Sequence, residues 1–129
     1  EALAALGIAA VAIPRPELLE ALVVKNLYIL TANIAGLEVG GTTGELWTNH
    51  RDLACAVAAD ILEVQRHLTG ASLPAEPLLA AAGAAFLADP GHGCTGRSAP
   101  ARLARAIAHA DRAGLAVPEL RRLGAASLR

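Results

Sequence analysis

Lys25 interrupts an otherwise apolar run, "ELLEALVVKNLYILTANIAGL", that extends from Glu17 to Leu37. Asn26 follows it directly and Asn33 comes eight residues after it. On a helix, Lys25 and Asn33 would stand about 80° apart around the axis and about 12 Å apart along it. Asn26 and Asn33, seven residues apart, share one stripe. A partly buried lysine has its pKa lowered toward the working range, so it can give a proton to a substrate or anchor one. Packing gives the alternative account. A lysine stem covers apolar surface while its head reaches water, and asparagines at helix contacts bond backbone.

The other chemistry-bearing residues cluster less persuasively. "GHGCTG" contains a literal G-x-G-x-x-G at Gly91, Gly93 and Gly96. A dinucleotide fingerprint needs a strand before it and a helix N-terminus facing the pyrophosphate. Here an alanine-rich helical pattern, not a strand, precedes it. The stretch is expected to be a mobile loop. His50, His67, His92 and His109 with Cys94 show no C-x-x-C or H-x-x-x-H pair, so no zinc site is expected. His67 and His109 fall near expected helix C-termini, where positive charge is favoured. Cys55, in "LACAVAAD", reads as a buried thiol and Cys94 as a loop thiol. Two such cysteines make no disulfide framework, which fits a reducing cytoplasm.

The elements that must position these groups read as helices. Of 129 residues, 54% are hydrophobic and 18% charged, which excludes a disordered chain. Alanine and leucine dominate and aromatics are 2%, so helices packed through small side chains are expected. With a formal net charge of −1, nothing suggests a nucleic-acid-binding or anionic-membrane surface. No stretch of 18 apolar residues is free of charge, so no transmembrane helix is expected. The chain begins at Glu1 without a methionine, as a fragment or processed product would, and no basic segment marks a signal peptide.

Pro14 and Pro16 mark a boundary, and Pro16 suits a first turn. Helices are expected over about 16–37, 46–68, 76–87, 100–113 and 118–126. "EVGGTTGE" breaks the first from the second, and Gly70 and Gly114 stop the second and fourth. Leu53, Val57, Ile61, Val64 and Leu68 form the buried stripe of the second helix, Leu103 and Ile107 that of the fourth. Arg102, Arg105, Asp111 and Arg112 form the fourth helix's solvated side. Ser98 reads as its N-cap, with Pro100 in its first turn. The fold class is therefore all-α, about five helices in an orthogonal bundle.

"GI…ELLEALVVKNLYILTANIAGLEVGGTTGEL" resembles the start of the C-terminal helical domain of the ketopantoate reductase family (2-dehydropantoate 2-reductase, similar to the 6-phosphogluconate dehydrogenase C-terminal domain). That family shows a lysine, an asparagine eight residues later, then an N/T-G-E-L turn; Lys25, Asn33 and Gly44–Leu46 fall at that spacing. "AHADRAGLAVPELRRL" resembles its closing segment at Gly114, Val117 and Pro118. The resemblance implies residues 1–15 as a linker or remnant of a nucleotide-binding domain, and 16–129 as the helical C-terminal domain. It implies that Lys25 is the catalytic proton donor to a substrate ketone during hydride transfer, and that Asn33 holds the substrate. Two positions depart from the family. Ile29 replaces an asparagine, and Ser98 stands where a substrate-binding glutamate is expected.

The implied function is the substrate-binding and dimerisation half of an NAD(P)-dependent oxidoreductase acting on a small 2-oxoacid. This half binds no cofactor itself, NADP or NAD being implied for a full-length protein, and it is expected to be inactive alone. It pairs as a homodimer and has neither a nucleic-acid nor a membrane partner. The alternatives are a non-enzymatic helical oligomerisation module derived from that family, and a small-molecule-binding bundle.

Overall fold

Pro16 opens the first helix, because its fixed φ suits a first turn and its missing N–H would be unpaired there anyway. A computed structural model describes residues 16–127 and shows this helix, α1, as Pro16–Val39, with Glu17 in its first turn. The expectations for residues 1–15 lie outside the described residues. Gly40 and Gly41 end α1 with φ of 64° and 74°, a conformation that costs glycine little. There follow α2 (Thr43–Asn49), α3 (Arg51–Thr69), α4 (Ala75–Ala88), α5 (Ala99–Ala113) and α6 (Pro118–Ser127). The all-α class holds: among the described residues there are six helices and no strand, only an isolated bridge between Thr42 and Gly93.

The sixth helix comes from a split. The expected 46–68 helix is two, broken at His50 (φ −132°, ψ 39°), and the shorter piece begins earlier, at Thr43. Thr42 starts it with a capping box. Its hydroxyl accepts from the Glu45 backbone N–H, and the Glu45 carboxylate accepts from the Thr42 N–H at 2.9 Å. Gly70 and Gly114 close α3 and α5 in left-handed geometry as expected. Ser98 does take the N-cap position of α5, yet its hydroxyl makes no capping bond.

Every other helix packs on α1, which explains why it is apolar on nearly all sides. α1 is also long and apolar enough to cross a membrane, contrary to expectation, with a mean hydropathy of 1.4 over its most apolar window. Here it serves instead as the hub of the bundle, burying Val23, Leu27, Thr31, Ala32, Ile34, Ala35 and Gly36. The single tryptophan, tyrosine and phenylalanine of the sequence converge in one cluster. Phe86 of α4 lies 5.1 Å from Tyr28 of α1 and 5.2 Å from Trp47 of α2, ring centre to ring centre. Arg51 covers the outer face of Trp47 at 4.5 Å. Along the α3 stripe Val57, Ile61 and Val64 are buried and Leu53 is half-buried, but Leu68 is exposed. Asp60, on the polar flank of α3, accepts from the N–H groups of Glu119 and Leu120 and so caps α6 from another helix.

Candidate functional site

The loop 89–98 is built onto the start of α2. A helix N-terminus leaves four N–H groups without intrahelical partners. In α2, Thr43 N–H donates to His92 O at 2.8 Å and Gly44 N–H to Pro90 O at 3.0 Å. Glu45 N–H reaches the Thr42 hydroxyl and the Thr42 N–H the Glu45 carboxylate, so all four are paired. In return Cys94 N–H donates to Gly41 O at 3.0 Å. Thr43 is fully buried, and its hydroxyl donates to Asp89 O at 2.8 Å.

This wiring corrects the expectation of a mobile loop. It also decides the glycine motif. A phosphate-cradling loop turns its amides toward the ligand. Here carbonyls of the loop face a helix N-terminus, the Cys94 amide is occupied by Gly41, and α4, not a strand, precedes the motif. The loop does not fit a dinucleotide.

Asn33 meets this loop from α1. Its Nδ2 donates to Cys94 O at 2.8 Å, and its Oδ1 accepts from Arg102 Nη1 at 2.7 Å. Those two partners fix which way round the amide lies. Gly36, one turn further, lets the loop lie directly on α1. A Cβ there would come within 2.7 Å of the Cys94 Cβ and the Thr95 Cγ2.

Of the three residues expected at a site, two are linked through Arg102. Asn33 holds its guanidinium, and Ser98, exposed, accepts its backbone N–H at 2.9 Å. Lys25 stands two turns up α1, exposed rather than partly buried, without an ion pair or hydrogen bond to another described residue. Ile29 sits half-buried between them. Tyr28 flanks the same region, where burial, then the nearby Asp89 carboxylate and Cys94 thiol, push its phenol pKa up.

The sequence pattern puts Arg102 on the solvated side of its helix, but the side chain is half-buried. Spacing alone could not reveal this, since the contact joins residues 69 apart. Of the cysteines, Cys94 lies in its loop as expected, whereas Cys55 is less buried than expected. Cys94 is buried, with its thiol pKa raised by burial and by Glu45, whereas Cys55 is half-buried; neither is in a disulfide. No group of three metal-binding side chains exists among the described residues.

Two clefts lie elsewhere. One of about 370 Å³ is lined by Glu38, Thr48, His50, Arg51 and Asp52. The other, about 500 Å³ and mostly apolar, runs between α5 and α6 along Leu103, Ala104, Ile107 and Gly124. Compared with known protein families, curated proteins and solved structures, the chain gives no match.

Proposed function

We propose that this chain is the substrate-binding and dimerisation half of a ketopantoate-reductase-like, NAD(P)-dependent oxidoreductase of the cytoplasm, acting on a small 2-oxoacid. The observation that carries this reading is the junction at Asn33. A residue that the sequence resemblance marks for substrate contact is held on one side by the Cys94 carbonyl and on the other by a cation, Arg102. The same helix presents Lys25 two turns away, free of protein partners among the described residues. In this reading Lys25 gives the proton to the ketone oxygen as the carbonyl is reduced, and Asn33 orients the substrate. No described segment fits the nicotinamide cofactor, so its binding is assigned to a separate nucleotide-binding domain. Free thiols at Cys55 and Cys94 suit a reducing compartment.

The test is reduction of 2-oxoacids by the gene-encoded protein with either reduced nicotinamide cofactor. Lys25→Ala is expected to lower turnover by about 10²–10⁴, the scale of a lost general acid. Unchanged turnover would reduce Lys25 to a surface residue. No reduction of any 2-oxoacid would favour the non-enzymatic oligomerisation module.

A further inference from the structure

The arginines of this protein differ in what surrounds them. Arg51 lies on Trp47 and donates to its carbonyl; Arg66 donates to Leu73 O. Arg121 pairs with Asp111, and Arg122 with Glu38 and Glu119. Arg102 is half-buried, yet its side chain has one protein partner among the described residues, the neutral Asn33 amide. An amide oxygen orients a guanidinium but does not neutralise it. Five N–H donors lie in the fixed fork of an arginine, so most of this one remains available.

Along the sequence the neighbouring charges have the same sign, while the Asp89 and Glu45 carboxylates act on Tyr28 and Cys94 and pair with no N–H of Arg102. From Pro90 to Ala110 the sequence holds Arg97, Arg102 and Arg105 and no Asp or Glu. The first turn of α5 has no acid, unlike the first turns of the other five helices. The fork is also pre-set: Cys94 O fixes the Asn33 amide, and the amide fixes Arg102.

We propose that Arg102, oriented by Asn33, binds the carboxylate of a small organic anion through its unoccupied N–H groups. A carboxylate supplies two acceptors that match the guanidinium fork and the charge that Asn33 lacks. Naming that anion a 2-oxoacid rests on the function proposed above. In that reading the carboxylate sits at Arg102, on the loop side of Asn33. Arg102 is thereby a specificity-determining residue for the acid end of the substrate.

The test uses amide NMR titration of this chain with 2-oxobutanoate and with its methyl ester. Saturable shifts at Asn33, Cys94 and Arg102 are expected with the acid and not with the ester. Arg102→Gln keeps a donor for Asn33 but removes the charge and fork, and should weaken binding about tenfold or more. Arg105→Gln, at an exposed position on the same helix, should leave binding unchanged. Circular dichroism checks that both variants fold. Should Arg102→Gln unfold, Arg102→Lys, which keeps the charge without the fork, should weaken binding in the same direction.

Absence of saturable shifts in the unsubstituted chain, equal shifts with the ester, or binding unaffected at Arg102 would each overturn the proposal. The reductase assay separates the two readings. An active enzyme whose KM does not rise in Arg102→Gln sinks the Arg102 assignment alone. Arg102-dependent binding of the acid without any reduction sinks the enzymatic reading alone.

Discussion

His109 lies near the C-terminus of α5, where the helix dipole favours a cation. Its surroundings win in the other direction. Burial, followed by Arg112 and Arg105, lowers its pKa below the ordinary 6.5, and Arg112 Nη2 lies 2.8 Å from Nδ1, a contact that requires Nδ1 to accept. The folded state therefore binds this proton less readily than the unfolded chain. Its contribution to stability is full above about pH 6.5 and is lost as pH falls through 6.5 toward the lower folded value. Thermal unfolding midpoints of the native protein should drop more steeply than those of His109→Gln between roughly pH 7.5 and 5.5. Parallel curves would remove His109 from the account. At this scale the sequence exposed residue types but not their neighbours. Lys25 and Asn33 could be marked as polar residues on an apolar helix. That Asn33 turns inward to a loop 61 residues away, while Lys25 faces solvent, depends on where that loop crosses α1.

Gly36 is where that crossing becomes possible. Alanine is the better helix former by about 0.8–1.0 kcal/mol, so Gly36→Ala on an isolated helix would stabilise it. In the fold the added methyl meets Cys94 and Thr95, with the Thr95 backbone nitrogen at 3.2 Å, and overpacking costs about 1–3 kcal/mol. The loop cannot simply lift away, because α2 holds Pro90 and His92, and Gly41 in the preceding turn holds Cys94, through backbone bonds. A net loss of about 1 kcal/mol is expected in denaturant unfolding, with faster alkylation of the buried Cys94. A stabilised variant with Cys94 still protected would show that the contact has slack. Helices were the most readable elements, because proline starts, glycine stops and apolar spacing act locally. The capping box at Thr42 and Glu45 was equally local, but the same residues also fitted a turn motif, and the start of α2 was placed three residues late. The break at His50 had no such signal: no proline or glycine lies between Leu46 and Arg51, and tertiary packing bends the chain there.

Across the whole molecule, apolar surface remains after the bundle has closed. The sequence has a mean hydropathy of +0.44. α4 buries Leu78, Ala82, Gly83 and Phe86 on one side and leaves Ala80, Ala81, Ala84, Leu87 and Ala88 exposed on the other. Leu87 is 53% exposed, and Leu18 near the start of α1 is 45% exposed. Contiguous apolar patches of more than a few hundred Å² are uncommon on monomers, and two-fold pairing is the commonest way to cover them. Small side chains on α4 would let a second helix approach closely. A homodimer with α4 near its axis is therefore expected. Ala84→Glu puts a charge on that face without touching the core, and should shift the protein to monomer with its helical content intact. Light scattering and circular dichroism read the two outcomes together. A monomer mass for the unsubstituted protein at high concentration would end the dimer expectation. A dimer that survives both Ala84→Glu and Leu87→Glu would move the interface to another face, the apolar groove between α5 and α6 being the next surface to substitute.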